Sequence, residues 1–96
     1  MKTYVVVIDF EISDAASIES LADQLGAEVQ AHGGRYLVQG GAARALGGDL
    51  DAERITVIEF DNSEQPRALV ESQTFSELRR RRNQFTKASA FVVEGA

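Results

Sequence analysis

The chain has 96 residues, 44% hydrophobic and 26% charged, the proportions of one ordinary folded domain over residues 1–96; they exclude wholesale disorder, collagen-like repeats and a membrane-spanning protein. With 15 acidic side chains against 10 basic ones, a formal charge of -5 and a pI near 4.8, whole-surface binding to nucleic acid or anionic lipid is disfavoured. Cysteine is absent, so disulfides, thiolate metal sites and thiol nucleophiles are excluded together.

Tyr4-Val5-Val6-Val7-Ile8 is β-branched and aromatic and reads as a strand from Thr3 to Phe10, with Asp9 marking its boundary. This apolar run is too short for a signal-peptide core, and a cytoplasmic location is expected. Ser13 or Asp14 then caps a helix to His32, because Ile18, Leu21, Ala22, Leu25 and Val29 recur at helical spacing and Gly33-Gly34 supplies the left-handed turn that ends it. Arg35 to Gln39 reads as the second strand, closed by Gly40-Gly41, and a loop of about a dozen residues follows, with Gly47-Gly48-Asp49 near its tip. Ile55 to Phe60 is the third strand. A second helix begins at Asn62 or Ser63 with Pro66 in its first turn, where a missing amide is tolerated, and Ser72 reads as a break or a new cap. Ala88 to Val93 closes the chain as strand four.

The order β-α-β-β-α-β is the ferredoxin-like pattern, an α+β fold with a four-stranded antiparallel sheet and its helices on one face. A sheet wetted on its other face should alternate apolar and polar residues, yet Val5 to Ile8, Val57-Ile58 and Phe91-Val92-Val93 are apolar on both sides of the pleat. The helices cover one face only, so the pattern predicts a homodimer through the other.

The segment His32-Gly33-Gly34-Arg35-Tyr36-Leu37-Val38-Gln39-Gly40-Gly41 resembles the small bacterial family called domain of unknown function thirteen-thirty. So do Gly48-Asp49, Glu53-Arg54, Val57 to Phe60, Ser72 with Phe75, Arg82 and the terminal Phe91 to Gly95. The resemblance spans essentially the whole chain and implies a dimeric α+β barrel, in which two ferredoxin-like sheets face each other. Relatives in that superfamily include monooxygenases, isomerases and stress-responsive proteins, several of which work in a pocket between helices and sheet. It brings no established activity and no cofactor. The polar positions that match the family are His32, Arg35, Arg54, Ser72 and Arg82. Leu50, Ile18, Leu21, Val70, Gln73 and Phe75 stand where the family often has an aromatic or a tyrosine, which implies a more aliphatic and less polar pocket.

His32 is the only histidine and the candidate catalytic residue, because imidazole moves protons near neutral pH; its position at a helix C-terminus equally suits a cap. Arg35 offers a fixed fork of donors to a carboxylate or enolate, with Arg54, Ser72 and Arg82 as further ligand-binding candidates. Arg54 and Glu59 can join this site or form an ion pair. No metal site is expected: Asp49, Asp51 and Glu53 lack the remaining ligands of a calcium loop, and the Gly-Gly pairs do not precede a helix as a phosphate loop requires. Arg79 to Arg82 fan around a helix and make no single basic face, with Glu77 placed to pair with Arg81, and the strands lack an RNA-recognition motif, so no nucleic acid is expected. Two functions remain: binding or conversion of a small acidic or carbonyl-containing metabolite in a helix-sheet pocket, or a non-catalytic dimeric structural or stress-response module.

Overall fold

The β-branched run after Met1 extends beyond its apolar centre. In the computed structural model, which describes residues 1–96, β1 spans Thr3–Ile12, followed by α1 (Ala15–Ala31), β2 (Arg35–Ala42), β3 (Arg54–Phe60), α2 (Glu64–Glu71), α3 (Gln73–Arg82) and β4 (Thr86–Glu94). One antiparallel sheet in the order β2-β3-β1-β4 carries the helices on one face, which is the ferredoxin-like fold. No helix is long and apolar enough to cross a membrane.

All four strands differ from the sequence reading, β3 only in starting one residue earlier, at Arg54, which pairs with Asp9 and Ala42; the other three differ each for a local reason. Asp9, expected as a strand boundary, lies inside β1 opposite Arg54 and Ala88; a register shift between Asp9 and Glu11 then lets β1 continue to Ile12. That continuation gives Thr86 and Lys87 their partners, so β4 starts two residues before Ala88. β2 runs through Gly40-Gly41 to Ala42. Gly40 takes φ +63 at a register shift between Val38 and Gly41, and its amide donates to Thr56 Oγ1 at 3.0 Å.

The helix ends follow their capping residues. Asp14 accepts from the Ser17 amide at 3.1 Å and opens α1. At the other end the Gly34 amide donates to the Val29 carbonyl and the Gly33 amide to Gln30, the paired closure in which Gly33 takes φ +84. Ser72 has ψ 129, which breaks the second helical segment, and its hydroxyl accepts from the Phe75 amide at 3.3 Å, which starts α3. The expected Glu77–Arg81 pair does not form: Glu77 accepts from Gln73 Nε2 at 3.4 Å instead. An exposed helical ion pair is worth only about 0.3–0.5 kcal/mol, too little to hold Arg81 out of water.

The core of Val29, Ile58, Phe60 and Leu69 sits where the end of α1 crosses the sheet beneath α2. Gly34 is buried there because no side chain fits: a methyl group on it would lie 2.7 Å from Phe60 Cε1 and 2.8 Å from Val29 Cγ1. Gly34→Ala is expected to destabilise the fold by about 1–3 kcal/mol through overpacking, seen as a lower urea midpoint; an unchanged midpoint would mean that the Phe60 ring yields freely.

Candidate functional site

Beyond that core the helices and the sheet do not close on each other. The helix-facing positions of β4 include Ala88 and Ala90, and α1 presents Ala22 above them, so small side chains leave space that Leu or Phe would fill. The result is a cavity of about 610 Å³, within the range of about 300–1,000 Å³ typical of small-molecule sites. Its floor is Val5, Val7 and Ile58, and its roof includes Ile18, Leu25 and Phe75. Of the positions where the chain departs from the family's aromatic or tyrosine residues, Ile18, Val70 and Phe75 line this space, whereas Leu50 is exposed on the loop and Leu21 is buried elsewhere.

One end of the cavity is polar. Asp9, with its side chain 1% exposed, accepts two hydrogen bonds from Arg82, at 2.9 and 2.8 Å, and a third from Thr86 Oγ1 at 2.9 Å. Burial pushes the Asp9 carboxyl up, but the hydrogen bonds from Arg82 and Thr86 and the charges of Arg82 and Arg54 outweigh it and hold the group below the usual carboxylate range. Arg54 sits across the ladder from Asp9, and its nearest carboxylate oxygen, on Glu19, is 4.0 Å away. Its guanidinium therefore has no close acceptor. With Arg79 also on the wall, three arginines face two carboxylates, and the lining is net positive on a chain of charge -5.

Tyr36 lines the same cavity from β2, opposite Ile58. Burial raises its phenol above the ordinary value, with only partial opposition from the charge of Arg82. It remains a neutral donor and acceptor at neutral pH, and its hydroxyl makes no hydrogen bond within the protein.

Of the five candidates read from the sequence, Arg54 and Arg82 come together here; His32, Arg35 and Ser72 do not line the cavity. His32 caps α1, and its Nδ1 lies 2.8 Å from the Glu28 carbonyl; that oxygen can only accept, so Nδ1 carries the proton. The Ser72 hydroxyl is engaged at the start of α3. Arg35 emerges on the opposite face of the sheet and donates to Glu59, which also accepts from the Tyr4 hydroxyl at 3.0 Å. These two hydrogen bonds, that of Arg35 foremost, hold the Glu59 carboxyl low. The Arg54–Glu59 pairing considered from the sequence is absent because the two side chains leave β3 on opposite faces. Asp9 and Tyr36 are the residues that sequence reasoning missed. The parity of β1 carried a signal for Asp9, which shares a face with Val5 and Val7.

The family model for Domain of unknown function (DUF1330) matches residues 2–96. The chain belongs to the DUF1330 family. No protein of curated function matches this DUF1330 chain in sequence. Several solved structures share its fold. A protein of unknown function from Rhodopseudomonas palustris superposes with a TM-score of 0.76 at 12% identity, over 99% of this chain and 82% of that one. SnoaB, a cofactor-independent oxygenase from Streptomyces nogalater, gives 0.69 at 13% identity, over 99% and 92%. An ethyl tert-butyl ether d (EthD) family protein from Bacillus halodurans gives 0.68 at 11% identity, over 100% of both chains. At such identities the likeness establishes the DUF1330 fold as ferredoxin-like and transfers no chemistry.

Proposed function

We propose that this DUF1330 protein is a homodimer that binds, as a step toward converting it, a small acidic or carbonyl-containing metabolite in the cavity between helices and sheet. The observation that carries this reading is a largely apolar space of about 610 Å³ whose lining holds an arginine, Arg54, that hydrogen-bonds no carboxylate and has its nearest one, on Glu19, at 4.0 Å. A guanidinium at an apolar wall favours an anionic or strongly accepting oxygen, and such charge-assisted hydrogen bonds are about twice as strong as neutral ones. Arg82, fixed by Asp9, keeps the polar end in shape. The dimer rests on the sheet face away from the helices, where Val6, Ile8, Ile55, Val57, Phe91 and Val93 share one side of the pleat and Phe91 and Val93 are 47% and 45% exposed. A second copy of that face is the partner that matches it.

A panel of benzoate, octanoate and short 2-oxo acids, screened by thermal shift, tests the site. A ligand at a hundred times its Kd is expected to stabilise the wild type by about 2.7 kcal/mol, and Arg54→Ala should remove most of that gain. Equal stabilisation of both proteins would take Arg54 out of the site. A second reading, a dimer without catalysis, draws support from the engagement of His32, Ser72 and Arg35 in caps and ion pairs. On that reading none of the panel shifts the melting temperature.

A further inference from the structure

We infer that the cavity is built for an elongated amphipathic acid, with its anionic group at Arg54, its apolar body along Val5 and Val7, and a hydroxyl or carbonyl at its far end on the Tyr36 hydroxyl. This rests on the acid-binding reading of the cavity and adds a second, distal point of recognition. Arg54 and Ile58 lie on the helix-facing side of β3, and Tyr36 stands opposite Ile58 on β2. The backbone positions of Arg54 and Ile58 lie about 13 Å apart along the strand, so the Arg54 and Tyr36 side chains enter the cavity from points that far apart. A short acid held by Arg54 leaves Tyr36 unmet.

The groups between the anchors ask for nothing polar. Val7 and Val5 pair with Thr56 and Ile58 in the ladder, and the Thr56 hydroxyl is already engaged by the Gly40 amide. The two anchors, by contrast, are open. The nearest carboxylate to Arg54 stands at 4.0 Å, beyond hydrogen-bonding reach, and the Tyr36 hydroxyl has no protein partner. A half-buried phenol facing Val29 and Leu69 gains from any ligand atom that accepts or donates a hydrogen bond. Arg54 is the primary anchor rather than Arg82, because two of the five Arg82 N–H donors, and its charge, are already answered by the buried Asp9 carboxylate.

Calorimetric titration of the purified protein with 4′-hydroxybiphenyl-4-carboxylate, biphenyl-4-carboxylate, 4-phenylphenol and 4-hydroxybenzoate tests the inference. The hydroxy acid with two rings is expected to bind most tightly. Removing its hydroxyl should weaken binding about three- to tenfold in the wild type and leave it unchanged in Tyr36→Phe. Arg54→Gln should weaken both biphenyl acids by roughly ten- to a hundredfold and spare 4-phenylphenol. If the two biphenyl acids bind equally to the wild type, or if their ratio survives Tyr36→Phe, the distal anchor is overturned while acid binding at Arg54 stands. If no acid binds, or if Arg54→Gln changes nothing, acid binding falls and the inference with it.

Discussion

Arg82→Ala is expected to destabilise the protein by about 3–5 kcal/mol, the usual cost of leaving one member of a buried ion pair alone. Asp9 is the member left behind, its side chain 1% exposed, while Arg82 itself is 17% exposed. Thr86 keeps one hydrogen bond to Asp9, which is too little for a full charge in that environment. For a domain of this size the loss corresponds to a fall in Tm on the order of 20 °C, measurable by circular dichroism. A change below about 1 kcal/mol would show that water replaces the guanidinium.

The same pair sets an acid limit. Because the folded Asp9 carboxyl lies below its unfolded value, its contribution is fully present above the unfolded value, near pH 4, and is lost as pH falls through the folded one. Urea unfolding between pH 7 and pH 2.5 is expected to show this loss in the wild type, and Asp9→Asn should reduce it, leaving the share carried by the other lowered carboxyls, Glu59 among them. An Asp9→Asn protein with the full wild-type acid dependence would assign the loss to other carboxylates.

On the open face of the sheet, Phe91→Asp is expected to turn a dimer into a monomer. Light scattering at micromolar concentration should give twice the 10.4 kDa chain mass for the wild type and one chain for the variant. A micromolar dimer holds about 8 kcal/mol, and an unpaired carboxylate inside an apolar interface takes away several of those. Phe91 is 47% exposed in the single chain, so the substitution should leave the fold standing, as an unchanged far-ultraviolet spectrum would verify. A wild-type mass of one chain would remove the dimer altogether.

The fold was legible because its elements carry strong local marks: the β-branched runs, the helical spacing from Ile18 to Val29, the Gly33-Gly34 closure and Ser72 as both stop and start. The site was less legible. Arg54 and Arg82 were within reach, since both stand near strand or helix ends and match the family pattern. His32 and Arg35 lie three residues apart in sequence, but between them the chain turns from the end of α1 into β2, and sheet alternation sends Arg35 to the far face. Asp9 was hidden by its neighbours, because an acidic residue after four apolar ones looks like a strand boundary. Its partner Arg82 arrives from 73 residues away, and no local pattern announces such a pairing. The cavity is a product of small residues, Ala22, Ala88 and Ala90, whose consequence appears only when α1 and β4 are set beside each other.

The polar row at one end of the open sheet face bears on how two copies meet. Lys2, Arg35, Glu59 and Asp61 pair among themselves there, two cations against two anions, so this face contributes nothing to the charge of -5 that the whole chain carries. The excess negative charge lies elsewhere in the chain, with Asp14, Glu19, Asp23 and Glu28 at α1 and Asp49, Asp51 and Glu53 between β2 and β3. At physiological ionic strength the screening length is about 8 Å, shorter than the 17 Å of the molecule's thinnest dimension. Two molecules approaching sheet to sheet therefore meet at an electrically balanced surface, and contact between apolar residues is left to decide the encounter.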